Sequence, residues 1–189
     1  MAFCALVVLS FFVAQANATP PAADQQITVT RFVIDGANAL SASQLEAVKA
    51  SVMGKRETSE VLLDTARHLL TTYLNNLCYI RATVDADVVN ADNRPDQAWM
   101  HATVQQGVRY RLGNFRVQWA QAFSAQQIAQ QLPLDAMRRD DCSGLVNVES
   151  TVADFYRSHG FRTVKVHPLV QANKATEQFD LTLYIDEAK

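Results

Sequence analysis

The side chains with the capacity for metal, nucleophilic or acid–base chemistry are few in this sequence of 189 residues: four histidines, three cysteines and one run of paired charges. His68, His101, His159 and His167 are scattered. None has a second histidine at i+4, and no Cys-x-x-Cys pair accompanies them, so metal-ligand spacing is absent. They read as surface or strand-face residues. Arg138-Arg139-Asp140-Asp141 holds both signs of charge. It precedes Ser143 at an expected helix start, where carboxylates offset the positive helix end, and that role suits it better than catalysis. Gly-x-Ser-x-Gly, a glycine-rich phosphate loop and paired catalytic carboxylates are all missing, and six glycines leave little material for an active-site loop. No catalytic residue, metal site or cofactor is expected, and the chain does not read as an enzyme.

Composition narrows the class further. A net charge of −2 is too balanced for a nucleic-acid binder that neutralises phosphates, and 49% hydrophobic residues are too many for a disordered chain. Residues 1–18 carry no charge. Ala5 to Ala14 is nearly all apolar, and Ala16-Asn17-Ala18 supplies small residues around a cleavage point. This reads as a secretory signal peptide, although no Lys or Arg precedes the apolar run. The run is shorter than the ~20 residues a spanning helix needs. Export leaves Cys78 and Cys142 in a compartment that permits disulfides. Two buried or half-buried free thiols are the default expectation. A bridge would require the two segments to meet within about 6 Å, Cα to Cα.

The elements that must position any site come from a repeat. Leu40-Ser41-Ala42-Ser43-Gln44-Leu45 aligns with Phe123-Ser124-Ala125-Gln126-Gln127-Ile128, and the same offset carries Phe32, Leu62, Leu69 and Tyr73 onto Phe115, Leu145, Val152 and Tyr156. One residue closer, Tyr79–Val84 overlies Phe161–Val166; one closer again, Ala98, Met100, Ala102 and Val104 overlie Phe179, Leu181, Leu183 and Ile185. Each copy reads as an alternating strand, a short helix opened by Ser41 or Ser124, a longer helix with an apolar stripe, and two alternating strands around a polar turn at Asn90–Asp96 or Asn173–Glu177. The expected fold class is α+β: two tandem β-α-α-β-β modules, residues 26–107 and 108–189, each a three-stranded mixed sheet with two helices on one face. The last two strands form a hairpin. If the first strand joins the third, the second becomes an edge, which suits Pro168. Tyr73, Tyr79, Tyr156 and Phe161 are expected in the packing between helix and sheet.

Tyr156-x-x-x-Gly160-Phe161 at the helix end and Val104-Gln105-Gln106-Gly107-x-Arg109-Tyr110-x-Leu112-Gly113 between the copies complete a pattern. It resembles tandem POTRA domains of the BamA/TpsB-like superfamily, which serves outer-membrane protein assembly and two-partner secretion. Ile34-Asp35-Gly36-Ala37-Asn38-Ala39-Leu40-Ser41 is similar to the opening of a first such module. The likeness covers roughly residues 26–188. Departures are Gln106 in place of an acidic residue, Leu77-Cys78 where a glycine belongs, and Trp119 where the second copy aligns with Gly36. The family's barrel is not expected, because the chain stops at Lys189.

The resemblance implies a periplasmic module, associated with the outer membrane of a Gram-negative bacterium, that binds or docks polypeptides. Its expected partners are unfolded outer-membrane or secreted polypeptides, a β-barrel translocase or its accessory subunits, and no nucleic acid. An edge strand exposes backbone donors and acceptors to which an extended client adds. The candidate edges are Arg81–Val89, with Arg81, Thr83, Asp85 and Asp87 pointing outward, and Arg162–Leu169, with Arg162, Thr163, Lys165 and His167. Such charges also discourage self-aggregation. Trp99 falls on the face opposite Ala98, Met100 and Ala102 and is a candidate partner contact. Two alternatives stand: a membrane-anchored periplasmic scaffold of the cell-division type, with residues 5–14 as anchor, and a truncated barrel translocase. Sequencing the mature N-terminus separates export from anchoring: a start at Thr19 supports cleavage, and an intact Met1 supports the anchor.

Overall fold

The computed structural model describes residues 25–91 and 94–188. The expected signal peptide, residues 1–18, lies outside them, as do Asp92 and Asn93 of the first polar turn and Lys189.

The first copy runs β1 (Gln26–Asp35), α1 (Ala42–Val52), β2 (Arg56–Thr58), α2 (Ser59–Asn76), β3 (Thr83–Ala91) and β4 (Arg94–Gln105). Ser41 opens α1 with a reciprocal box: its hydroxyl accepts from the Gln44 N–H while the Gln44 side chain accepts from the Ser41 N–H. The sheet order is β2-β1-β4-β3, with β1 parallel and β3 antiparallel to β4. β3 is therefore an edge, as expected if the first strand joins the last. The sheet has four strands rather than three. After α1 the chain runs antiparallel along β1, pairing Gln26 with Thr58, and Thr58 then caps α2 by accepting from the Val61 N–H. One residue closes a strand and opens a helix, which left β2 too short for an alternating pattern to reveal.

The second copy runs β5 (Arg111–Gln118), α3 (Ala125–Ala129), α4 (Leu134–Arg138), a tight turn at Leu145–Asn147, α5 (Val148–Ser158), β6 (Thr163–Asn173) and β7 (Gln178–Ala188). Ser124 and Gln127 repeat the capping box. The sheet order is β5-β7-β6, and Pro168 sits in the edge strand. Here the helical layer departs from expectation. Pro133 cannot donate to a continuing helix, so the short helix ends early and α4 follows, with Leu132 and Leu134 both buried. Leu145 lies in the tight turn, outside α5.

In each copy the helices cover one sheet face. Ile27, Val29, Leu62, Leu70, Leu74, Ala98, Met100 and Ala102 fill the first core; Ile128, Met137, Val152, Tyr156, Phe179, Leu181, Leu183 and Ile185 fill the second. Tyr156 is completely buried and Phe161 packs against it, as expected. Tyr73 and Tyr79 are half-buried against the first core.

The cysteines require a correction. Cys78 and Cys142 form a disulfide with Cα atoms 5.1 Å apart. Cys78 follows α2 of the first copy, yet it is wholly buried in the core of the second. It takes φ +66°, the left-handed backbone that Gly160 takes at the matching position with φ +92°. Around it the second copy satisfies the carbonyls at the end of α2, which have no partner within their own helix. Asn76 O accepts from the Cys142 N–H, Leu77 O from Arg109 Nε, and Cys78 O from the Tyr110 N–H. Asp140 belongs to this junction and not to a helix start: Arg111 donates to both its carboxylate oxygens at 2.6 and 3.0 Å, and Arg109 donates to its carbonyl. The Arg111 hydrogen bonds hold the Asp140 carboxyl below its ordinary range.

The bridge closes a loop with sequence separation 64. On the chain-entropy model, replacing both cysteines with serine is expected to lower unfolding stability by about 4 kcal/mol. Denaturant unfolding of the oxidised protein against Cys78→Ser/Cys142→Ser checks this; equal midpoints would show that the contacts around the bridge suffice alone.

Candidate functional site

The eight candidate edge residues do not converge on one cleft. Four lie on β3 or just before it and four on β6 or just before it, so they form two separate edges. Arg81 and Arg162 precede their strands, in a turn and a bend, and are not ladder residues. Thr83, Asp85 and Asp87 are exposed and alternate with Val84, Ala86 and Val88, which turn inward. Thr163, Lys165 and His167 alternate likewise with Val164 and Val166.

Pro168 reveals which backbone groups of β6 are free. β6 pairs with β7 in unbroken register, Pro168 opposite Leu183. A proline without an N–H is tolerated where that group would point away from the ladder. In an antiparallel pair this direction alternates along the strand. Val164, Val166, Val170 and Ala172 therefore share the direction of Pro168 and turn their N–H groups outward, while Lys165, His167 and Leu169 face β7. Pro168 interrupts the outward row at its middle, which limits self-pairing of the edge.

Leu169 and Val170, 41% and 38% exposed, lie side by side beyond that proline. Val170 borders an apolar hollow formed with Ile80, Leu145, Val146 and the segment around Cys142. Sequence patterning did not bring these residues together. The hollow exists because the junction brings the end of α2 beside the turn before α5. No local period encodes that meeting.

Trp99 stands on the open face of the first sheet, 40% exposed, with the Arg31 guanidinium 5.9 Å from its ring centre. Val33, Asp87, Val89 and His101 complete the surrounding depression. His101 Nε2 lies 2.8 Å from Asp35 Oδ2 across the β1–β4 pair. No group of three or more potential metal ligands occurs among the described residues, and no helix among them is long and apolar enough to cross a membrane.

Both sheets share one architecture: a first strand parallel to the last, an antiparallel edge strand, and helices on one face only. The Haemophilus influenzae BamA POTRA3–5 structure is similar to this chain at TM-score 0.60 and 18% identity, over 87% of this chain and 68% of that one. The fold is that of tandem POTRA domains. The structure of Haemophilus ducreyi BamA lacking POTRA domains 1–3 is similar at TM-score 0.61 and 14% identity, over 86% of this chain and 29% of that one. POTRA1–2 of the periplasmic domain of Omp85 from Anabaena is similar at TM-score 0.51 and 14% identity, over 88% of this chain and 98% of that one. No family model and no curated protein matches the sequence.

In the second copy one charged group is tied into the packing. Glu187, near the end of β7, accepts from the buried Tyr156 hydroxyl at 2.7 Å and from the Gln121 and Ala122 N–H groups at 3.1 Å. Burial acts to raise the Glu187 pKa, but these hydrogen bonds outweigh it and the carboxyl lies below its ordinary value. Burial, followed by the Glu187 bond and charge, raises the Tyr156 pKa, so the phenol stays a donor. Tyr156→Ala is expected to cost about 3–5 kcal/mol of stability, measured by denaturant unfolding; a loss below about 1 kcal/mol would place the ring outside the core. A depressed carboxylate pKa stabilises the fold above the unfolded value of about 4.5 and ceases to do so as pH falls through the folded value. Glu187→Gln should therefore melt below the native protein at pH 7, and the gap should close in acid. A gap independent of pH would show that the charge contributes nothing.

Proposed function

We propose that this protein is a periplasmic polypeptide-binding and docking module for outer-membrane protein assembly or secretion. In this reading, residues 26–107 and 108–189 act as its two POTRA units. The observation that carries the reading is the edge strand β6. Its outward backbone groups lie beside an apolar hollow, in a fold similar to POTRA domains of BamA and Omp85. An extended segment added along β6 gains backbone hydrogen bonds that demand little of its sequence, and an apolar side chain gains the hollow. Unfolded outer-membrane or secreted polypeptides have both features. β3 offers a second edge with no proline in it, where Asp85 and Asp87 favour a client carrying positive charge. Trp99 gives a flat apolar contact for a β-barrel translocase or its accessory subunit.

Leu169 and Val170 provide the test because they are similarly exposed neighbours whose N–H groups point in opposite directions. Leu169→Pro removes a donor from the β6–β7 ladder and should lower the melting temperature. Val170→Pro should leave melting nearly unchanged and weaken an unstructured outer-membrane protein segment by about fivefold, the worth of roughly one net hydrogen bond. Undiminished binding to a folded Val170→Pro protein would exclude strand addition on β6.

A further inference from the structure

Three non-glycine residues of the second copy or its junction, besides Glu177 in the last hairpin turn, hold a left-handed backbone: Cys78, Trp119 and Asp140. That conformation costs an ordinary L-residue about 1–2 kcal/mol, and a bulky side chain there calls for a reason. Cys78 has one in the disulfide, and Asp140 in its clamp on Arg109 and Arg111. Trp119 has no such structural reason.

Its counterpart in the first copy is Gly36, φ +79°, where an added Cβ would lie 2.1 Å from the Val104 carbonyl oxygen. The second copy accepts the same turn, φ +67°, with the largest of side chains. That side chain is 67% exposed, and its ring contact is with Tyr184, at 4.8 Å between centres. A glycine would make this turn without strain and lose little burial. The indole is held out at the cost of backbone strain.

The cleft beneath it, at the end of the second sheet where β5 and β7 stop and β6 begins, is lined by Trp119, Gln121, Phe161, His167, Ile185, Asp186 and Glu187. Among the described residues its lining holds two carboxylates and one histidine, and neither a lysine nor an arginine. Lys165 stands opposite Asp186 in the ladder and partly balances it. Glu187 is surrounded by neutral donors and forms no ion pair with any of the described residues. Aromatic faces over unpaired negative charge attract a cation, and a planar guanidinium can stack on an indole while its edge donates to a carboxylate.

We propose that Trp119, Tyr184, Phe161, Asp186 and Glu187 form a receptor for one arginine side chain of a partner polypeptide. The proposal takes the polypeptide from the reading above but does not depend on strand addition, since the cleft lies at the sheet end and not along the outward edge of β6.

The probes are acetyl-arginine-amide and a short glycine–serine peptide with one central arginine, each against its citrulline counterpart, titrated into the full chain. The Trp119 indole N–H and Tyr184 amide NMR signals report binding. Arginine should give saturable shifts about tenfold tighter than citrulline, weakening as salt rises. Trp119→Gly should abolish the Tyr184 response and melt no lower than the native protein; Trp119→Asn, which also tolerates this backbone, should do the same. Val170→Pro should leave the arginine response intact, so failure of strand addition and failure of this cleft give different results. Equal response to arginine and citrulline, an unsaturable response, or a melting temperature lowered by several degrees in both Trp119 variants would overturn the proposal. The last outcome would make Trp119 a packing residue.

Discussion

The end of α2 is the constraint on which the arrangement depends. A helix leaves its last carbonyls unsatisfied, and here the three at Asn76, Leu77 and Cys78 receive donors from the second copy. Cys78 then leaves the first copy altogether and enters the second core, where the disulfide to Cys142 holds it. Hydrogen bonds, burial and a covalent link act at one point. The left-handed turn at Cys78 is the local strain that this combination supports.

That junction also decides what faces solvent. Placing the end of α2 beside the turn before α5 opens the hollow next to β6 and gathers Arg109, Arg111 and Asp140 into a charged clamp. The helices of each copy cover one sheet face, so the opposite faces and the edge strands β3 and β6 stay open. Pro168 blunts one of those edges without closing it. Exposed backbone and shielded aggregation risk coexist because proline removes a single donor from a row.

The two copies share a template and differ where glycine is exchanged for a residue with a side chain. Gly36 and Trp119 occupy one backbone position, as do Cys78 and Gly160. In the first exchange the second copy gains an exposed indole; in the second the first copy gains a covalent tether. Glycine is the unstrained solution at both turns. Each replacement therefore marks a place where something other than local folding set the residue.

Much of this was legible in the chain. Apolar periods of two and near four, reinforced by duplication, determined the order of strands and helices, and Ser41 and Ser124 marked two helix starts correctly. The hairpin order with Pro168 pointed to β3 and β6 as edges. Trp119 was visible as an anomaly against Gly36, though only the structure showed its strained backbone and exposure. Short-range signals failed where one residue serves two elements, as Thr58 does, and where proline divides a helix, as Pro133 does. The disulfide, the Asp140 clamp, the hollow beside Val170 and the Glu187 network all join residues distant in sequence. A periodic pattern records which face of an element is buried but not which other element covers it. Those pairings were decided only when the carbonyls ending α2, the buried Cys78 and the Tyr156 hydroxyl found their partners in three dimensions.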